Sequence, residues 1–490
     1  MAGWAFGSCI WLTPGCVLLD DRLNFHLNIV NDLKLAGGSS WLIGGSVRDE
    51  LLGLSSKDLD TEIYGLTQDK ILSVLEKYGD VQCEGEDFGV YILTTPAGSF
   101  DFSLPRTEVK KGPGHQGFSV KLNPLLSHEQ ACMRRDFTIN AIFKDPISGE
   151  FKDPLNGRND LDNKILRAAG PGFNEDPLRV LRGFQFAGRF GLTADEGTLK
   201  QCRLMYAESQ TLSTERCWLE WKKWGERSQK PSAGLLFLKQ AGWLECWPAL
   251  ADLVGVPQDE NWHPEGDVWV HTLHVTDEVA KIANREGLES EERLILVLAG
   301  ICHDLGKPVT TQMHKGRWRS RGHDREGVVI AQEWLTQIGC PVKYQERIVP
   351  LVKEHLFYGN SNPSEAAVRR LARRLAPASV RMLCYLMEAD VLGRPPRQRV
   401  LPASIGQVKA LGEQLEVINE APFPILKGRH LIEKGWKPGP DFKRILDLAF
   451  EAQLDGAFDS ETAAVQWLNT VDIGLPEDGK KPRSGKKENK

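Results

Sequence analysis

The stretch WLIGGSVRDELLGLSSKDLD, Trp41 to Asp60, constrains the fold more than any other part of the chain. An apolar run ends in Gly44-Gly45, a short amphipathic segment follows, and Asp58 and Asp60 close it. The periods predict a strand, a glycine turn, a helix from Ser46 and a second strand. Residues i and i+2 of a strand point the same way, so Asp58 and Asp60 would place two carboxylates on one face. Such carboxylates stay ionised together only with a cation between them. Hard oxygen ligands suit Mg²⁺, which takes one or two carboxylates plus substrate phosphates. Gly45 lets the backbone approach a ligand, the free amides from Ser46 onward favour phosphate, and Arg48 adds a charge-assisted bond. The stretch therefore predicts a triphosphate cradle beside a metal seat. Spacing alone describes a turn followed by solvated aspartates equally well.

Short apolar runs and turns alternate from about residue 25 to 165, which predicts a mixed α/β unit with a small sheet. Asp101 lies on the predicted strand GSFDFSLPR. If that strand lies beside the first, Asp101 would complete a metal triad, able to activate a hydroxyl and hold a leaving pyrophosphate. Helical periods dominate from 166 onward, with breaks near 255 and 400. The expected organisation is α+β: a head over 25–165, a helical neck and body over 166–255, an all-α unit over 256–400, a helical region over 401–475, and a basic disordered tail over 476–490. The net charge is only −5, so a nucleic-acid partner would need a local basic surface. Ten cysteines without a CxxC pair argue against a zinc ribbon or a disulfide framework and fit a reducing cytoplasm. Met1–Leu19 lacks the basic start of a signal peptide, and no segment is apolar enough to span a membrane.

GGSVRD with KDLD resembles motif A of the class II tRNA nucleotidyltransferases, in the DNA polymerase beta superfamily. Four more stretches follow in the family's order. RTEVKKGPGHQGF is similar to a flexible loop of members that add all three nucleotides. RRDFTINAIFKD resembles motif B, with Arg135, Asp136 and Asn140 in matching places. DPLNGRNDLDNKILR resembles motif C, through Asp153, Gly157, Asp160 and Arg167. EDPLRVLR resembles the nucleotide-selecting motif D. The resemblance implies a polymerase-beta-like head that uses Mg²⁺, CTP, ATP and the tRNA 3′ end.

In EDPLRVLR the expected helix has Asn174 as N-cap and Pro177 in its first turn. Asp176 and Arg179, three apart, would share one helix face. Aspartate accepts from an exocyclic amino group and arginine donates to the neighbouring ring acceptor. Cytosine and adenine share that order of donor and acceptor, whereas uracil and guanine invert it. The pair would thus accept CTP and ATP and leave buried groups unpaired against the others. Without the resemblance, an i,i+3 ion pair explains it as well. Arg182 and Arg189 add positive charge to the same helix.

In the second half, LAGICHDLGK places His303-Asp304 at the end of an apolar helix. His271 lies upstream and Asp390 downstream, each on its own predicted helix. The order resembles the HD phosphohydrolase domain of bacterial multifunctional CCA enzymes, and His271, His303, Asp304 and Asp390 match its ligand set. Nitrogen and carboxylate ligands suit a transition metal better than Mg²⁺. His323 and His355 match further histidine positions, either second-metal ligands or core-edge histidines; His274 is read as no ligand. The resemblance implies phosphatase, 2′-nucleotidase and 2′,3′-cyclic phosphodiesterase activity. Its rivals are an A-adding enzyme, a poly(A) polymerase, and an HD hydrolase with an inactive RNA-binding head.

Overall fold

The computed structural model describes residues 14–55, 59–84, 89–110 and 118–470. Asp58, loop residues 111–117 and the basic tail lie outside them. Seven strands form one mixed sheet in the spatial order Asp80–Glu84, Val90–Thr95, Gly98–Ser103, Thr61–Tyr64, Ser39–Ile43, Phe143–Lys144, Phe151–Lys152. All neighbours are antiparallel except Thr61–Tyr64 with Gly98–Ser103, which run parallel.

The sheet has two unlike faces. Ile63, Leu93, Phe100 and Phe102 pack against Ile29 and Leu33 of the helix Pro14–Leu35 and against Ile71 and Leu75 of the helix Gln68–Leu75. Period-2 alternation then sends Asp60, Glu62 and Asp101 to the opposite face. The KDLD pattern puts Asp58 and Asp60 within the second strand; the strand instead begins at Thr61, and Asp60 stands just ahead of it, its carbonyl accepting from Ile43 N at 3.0 Å.

One continuous apolar core runs from Leu42 and Val47 in the head to Ile418. Trp221, on the helix Thr214–Arg227, is its hub. Its ring lies 5.5 Å or less from those of Phe184, Trp224, Trp247 and Trp334. Trp334 belongs to the helix His323–Gln337, so the neck and the histidine-bearing half are packed as one body. Past the Pro-rich break, Ile405, Val408 and Val417 still belong to this core. A separate small core begins at Leu426 and joins Leu431, Ile445, Phe458 and Leu468. The eight described cysteines are all free thiols. Among the described residues, no helix is long and apolar enough to cross a membrane.

Candidate active sites

The head site lies on the carboxylate face. Gly44 takes φ 85°, a left-handed conformation that favours glycine, and starts the helix Gly45–Leu51 one residue before Ser46. A side chain at Gly44 would meet Asp60 Oδ2 at 3.7 Å and Arg135 Nη1 at 3.6 Å. An acid and a guanidinium thus both stand at van der Waals distance from the turn, and it is the left-handed φ that calls for glycine. Thr61 pairs with Phe102 in register, so Asp60 and Asp101 are neighbours. Glu62, two residues on, is fully buried and takes Arg134 at 2.7 Å and Arg135 at 3.2 Å. Burial pushes its carboxyl up, but Arg135 and Arg134 win and hold it below the usual range.

The motif B residues form a chain of charge. Asp136 accepts from Asn140 at 3.0 Å and from Arg182 at 2.7 Å. Burial opposes its ionisation, yet Arg182 and Asn140 bring its pKa down to about 2. Asn140 in turn accepts from Arg48. Arg48 does not face a ligand as the sequence suggested. It is buried, its guanidinium lies 5.0 and 4.7 Å from the rings of Phe186 and Phe190, and it bonds Asp49. The aromatic shelf that captures it comes from the motif D helix, which local sequence cannot show. Arg189 reaches the same Asp49 at 2.8 Å. Ser46 Oγ, buried below the turn, has no hydrogen-bond partner. Motif C is the clamp beneath: Asp153 caps Gly157 N at 2.7 Å, and Asp160 accepts from Thr138 at 2.8 Å and Arg167 at 3.1 Å.

The motif D geometry corrects two expectations. The helix is Leu178–Phe190 with Pro177 at its N-cap, and Asn174 sits in a preceding 3₁₀ turn. Asp176 is therefore extended backbone ahead of the helix, not a residue on its face beside Arg179. Proline fixes this: it disfavours helical backbone at the residue before it. Asp176 accepts from Leu178 N at 3.0 Å and from Arg216 at 2.7 Å. Arg179 donates to the carbonyls of Gly172 and Arg134.

The second site is internal. His271, His303, Asp304 and Asp390 converge and are all buried. His271 Nε2 lies 3.0 Å from Asp390 Oδ1, 3.3 Å from His303 Nε2 and 3.7 Å from Asp304 Oδ2. The other side of Asp304 faces His323 Nε2 at 3.2 Å and His355 Nε2 at 4.0 Å. The two latter Nε2 atoms are 3.2 Å apart. The Nδ1 atoms of His303, His323 and His355 lie 2.6–2.8 Å from the carbonyls of Gly300, Ser320 and Val352. A carbonyl only accepts, so each Nδ1 carries the proton and each Nε2 presents a lone pair. His271 Nδ1 lies 2.8 Å from Glu265 in the same sense. Lone pairs from His303, His323 and His355 thus point into a carboxylate cluster, a donor set that fits cations. Burial and then His323 push the His355 pKa down to about 3, keeping it neutral. Lys307 holds Asp304 at 2.7 Å and Arg394 holds Asp390 at 2.6 Å. A cavity of about 430 Å³ opens onto Asp304, His323, His355 and Asp390.

Comparison with known proteins matches both halves of the chain. Residues 40–167 match the poly A polymerase head domain and residues 268–392 match the HD domain. The chain is 35% identical to the multifunctional CCA protein of Xylella fastidiosa (strain M23), over 72% of this chain and 84% of the relative. It is 35% identical to that of Xanthomonas oryzae pv. oryzae (strain MAFF 311018), over 77% and 91%. The chain belongs to the multifunctional CCA protein family. The fold is that of solved CCA-adding enzymes. One, from Bacillus stearothermophilus in complex with CTP, gives a TM-score of 0.61 at 19% identity and covers 94% of this chain and 98% of that one. Another, from Thermotoga maritima complexed with tRNA, gives 0.57 at 17%, covering 93% and 97%. A nucleotidyltransferase head and an HD domain together imply divalent metal use.

Several residues of these sites were not singled out in the sequence. Glu62 was signalled, because it extends the alternation of Asp58 and Asp60 by one step. Arg394 stands one helical turn from Asp390, another readable spacing. Arg216 and Glu265 carried no local signal, since only packing brings them to Asp176 and His271.

Proposed function

We propose that the chain builds the CCA end of tRNA from CTP and ATP without a template, and that its HD half hydrolyses phosphoesters. The observation that supports the first part is the strand register that sets Asp60 beside Asp101, next to the turn at Gly44. Asp58, Asp60 and Asp101 would hold Mg²⁺, which supplies charge for the triphosphate and lowers the pKa of the RNA 3′-hydroxyl. Gly45 and Ser46 line the phosphate approach, and the buried, unpartnered Ser46 hydroxyl is a donor in waiting. Arg135 faces the same turn, while Asp136, Asn140 and Arg182 fix the motif B loop against the selector helix. Asp176 and Arg179 read the base. Each carboxylate oxygen of Asp176 has two lone pairs, so its bonds to Leu178 and Arg216 leave capacity for an exocyclic amine. Carbonyls of Gly172 and Arg134 aim the Arg179 fork.

At the HD site, His271, His303, Asp304 and Asp390 would hold one transition-metal ion, and Asp304, His323 and His355 a second. Such ions supply a nucleophilic hydroxide at neutral pH. Lys307 and Arg394 are placed to bind phosphate oxygens.

The test of the head is incubation of purified protein with tRNA transcripts ending at the discriminator base, at C and at CC, with each labelled NTP and Mg²⁺. Addition of C, C and A followed by a stop is expected. Addition of A alone to the CC transcript would make this an A-adding enzyme. A long A ladder would make it a poly(A) polymerase, and no incorporation would remove the head assignment.

A further inference from the structure

Between the helix that ends at His303-Asp304 and the one that starts at His323, the chain projects a two-stranded hairpin. Its strands are Thr311–His314 and Arg317–Ser320, paired His314 to Arg317 through Thr311 to Ser320. Lys315 at φ 50° and Gly316 at φ 75° make the two-residue turn, both in the left-handed region that matches strand twist. The hydroxyls of Thr311 and Ser320 meet at 2.7 Å and close its base.

The hairpin is exposed from Gln312 to Arg319, and residues 311–322 contain no acid. Lys315, Arg317, Arg319 and Arg321 are all exposed and make no ion pair among the described residues. This is unusual in a chain of net charge −5, whose other arginines are mostly paired. Arg373, for example, meets Glu451 at 2.6 Å. Two openings meet at the hairpin. Trp318 and Arg319 line the cavity above Asp304, His323 and His355. Arg319, Arg321 and Arg325 line a neighbouring groove of about 570 Å³, whose acidic member is Glu326. The hairpin is also tied to the site: the carbonyl of Ser320 accepts from Nδ1 of His323 at 2.6 Å.

We infer that this hairpin is a strand guide, and that the HD site takes the terminal phosphoester of a single-stranded RNA in preference to a free mononucleotide. The cavity has room for one terminal nucleotide. Trp318 offers that nucleotide's base a stacking face, which every base satisfies. Arg319 bridges the two openings, and Arg321 and Arg325 meet the preceding phosphates in the groove. The arginines would supply the salt-dependent, sequence-independent part of binding. The inference rests on the reading of the HD half as a phosphohydrolase.

The experiment compares an RNA hexamer ending in a 2′,3′-cyclic phosphate with the matching mononucleotide, using the metal-loaded full chain. The hexamer should be preferred about tenfold or more in kcat/KM, and only its hydrolysis should fall steeply with salt. Arg321→Ala with Arg325→Ala should remove about tenfold from the hexamer and change the mononucleotide less than twofold. The slope of log kcat/KM against log salt should flatten by roughly 0.7 per arginine removed. Trp318→Ala should raise KM for both substrates about tenfold. Equal rates on both substrates, or a double variant that affects them alike, would overturn the strand guide. If the wild type hydrolyses neither, the phosphohydrolase reading fails. The guide is then decided by fluorescence anisotropy of the labelled hexamer: unchanged affinity in the double variant would overturn it as well.

Discussion

The two sites differ in how far packing buries and fixes their residues. In the HD half, imidazoles and carboxylates from separate helices are buried and aimed at one another, and backbone carbonyls fix the tautomers of His303, His323 and His355. In the head, Asp101 is exposed on an open sheet face, and Asp176 is engaged by Arg216. The HD site is preassembled by packing. The head site is built on an open sheet face. Asp304, shared by the two histidine groups, and Asp60, beside the glycine turn, are the centres of these two designs.

The largest expected effect separates the two halves. Asp304→Ala should lower phosphoester hydrolysis roughly 10³-fold and leave C and A incorporation within about twofold. Asp60→Asn should do the reverse, as read by paired incorporation and phosphate-release assays on one preparation. Loss of both activities in either variant would break the comparison. A smaller effect sharpens the preassembled site: His355→Ala should lower bound metal from two ions per chain to one by plasma mass spectrometry, with hydrolysis falling roughly 10- to 100-fold. Unchanged metal content would leave His355 a core histidine.

Arg216→Ala tests the open site. Losing a charged partner of Asp176 should raise KM for CTP and ATP about tenfold and weaken rejection of UTP. Normal selectivity would mean that Arg216 only props the loop. The smallest effect concerns the back of the head sheet, where His26 Nε2 meets Thr61 Oγ1 at 2.8 Å. Burial, then Arg22, pushes the His26 pKa down from 6.5 to about 4. A pKa lowered in the folded state means the fold holds His26 neutral. That stability is whole above pH 6.5 and drains away as pH falls to about 4. In His26→Gln the melting temperature should vary less across this interval, by differential scanning fluorimetry.

Much of the head was legible because its signals are local. The glycine turn and the parity of Asp101 are both short-range properties. The misreadings arose where one local rule met a stronger constraint. Asn174 looks like a helix cap, but Pro177 keeps Asp176 extended and delays the helix to Leu178. Arg48 looks like a phosphate ligand, but its neighbours Phe186 and Phe190 are far along the chain. His323 and His355 were ambiguous for the same reason: a histidine's role depends on what faces its ring.

By itself the sequence determined which residue types the chain could spend on chemistry, and the order of a sheet-bearing head and a helical remainder. Periodicity and turn chemistry act over a few residues, so they can be read without knowing the fold. The tertiary structure alone decided the partners: that Asp304 stands between two pairs of histidines, that Arg216 holds Asp176, and that Arg319 of the basic hairpin lines the HD cavity. These contacts join residues tens to hundreds of positions apart, and only the packing of the shared core around Trp221 brings their elements together.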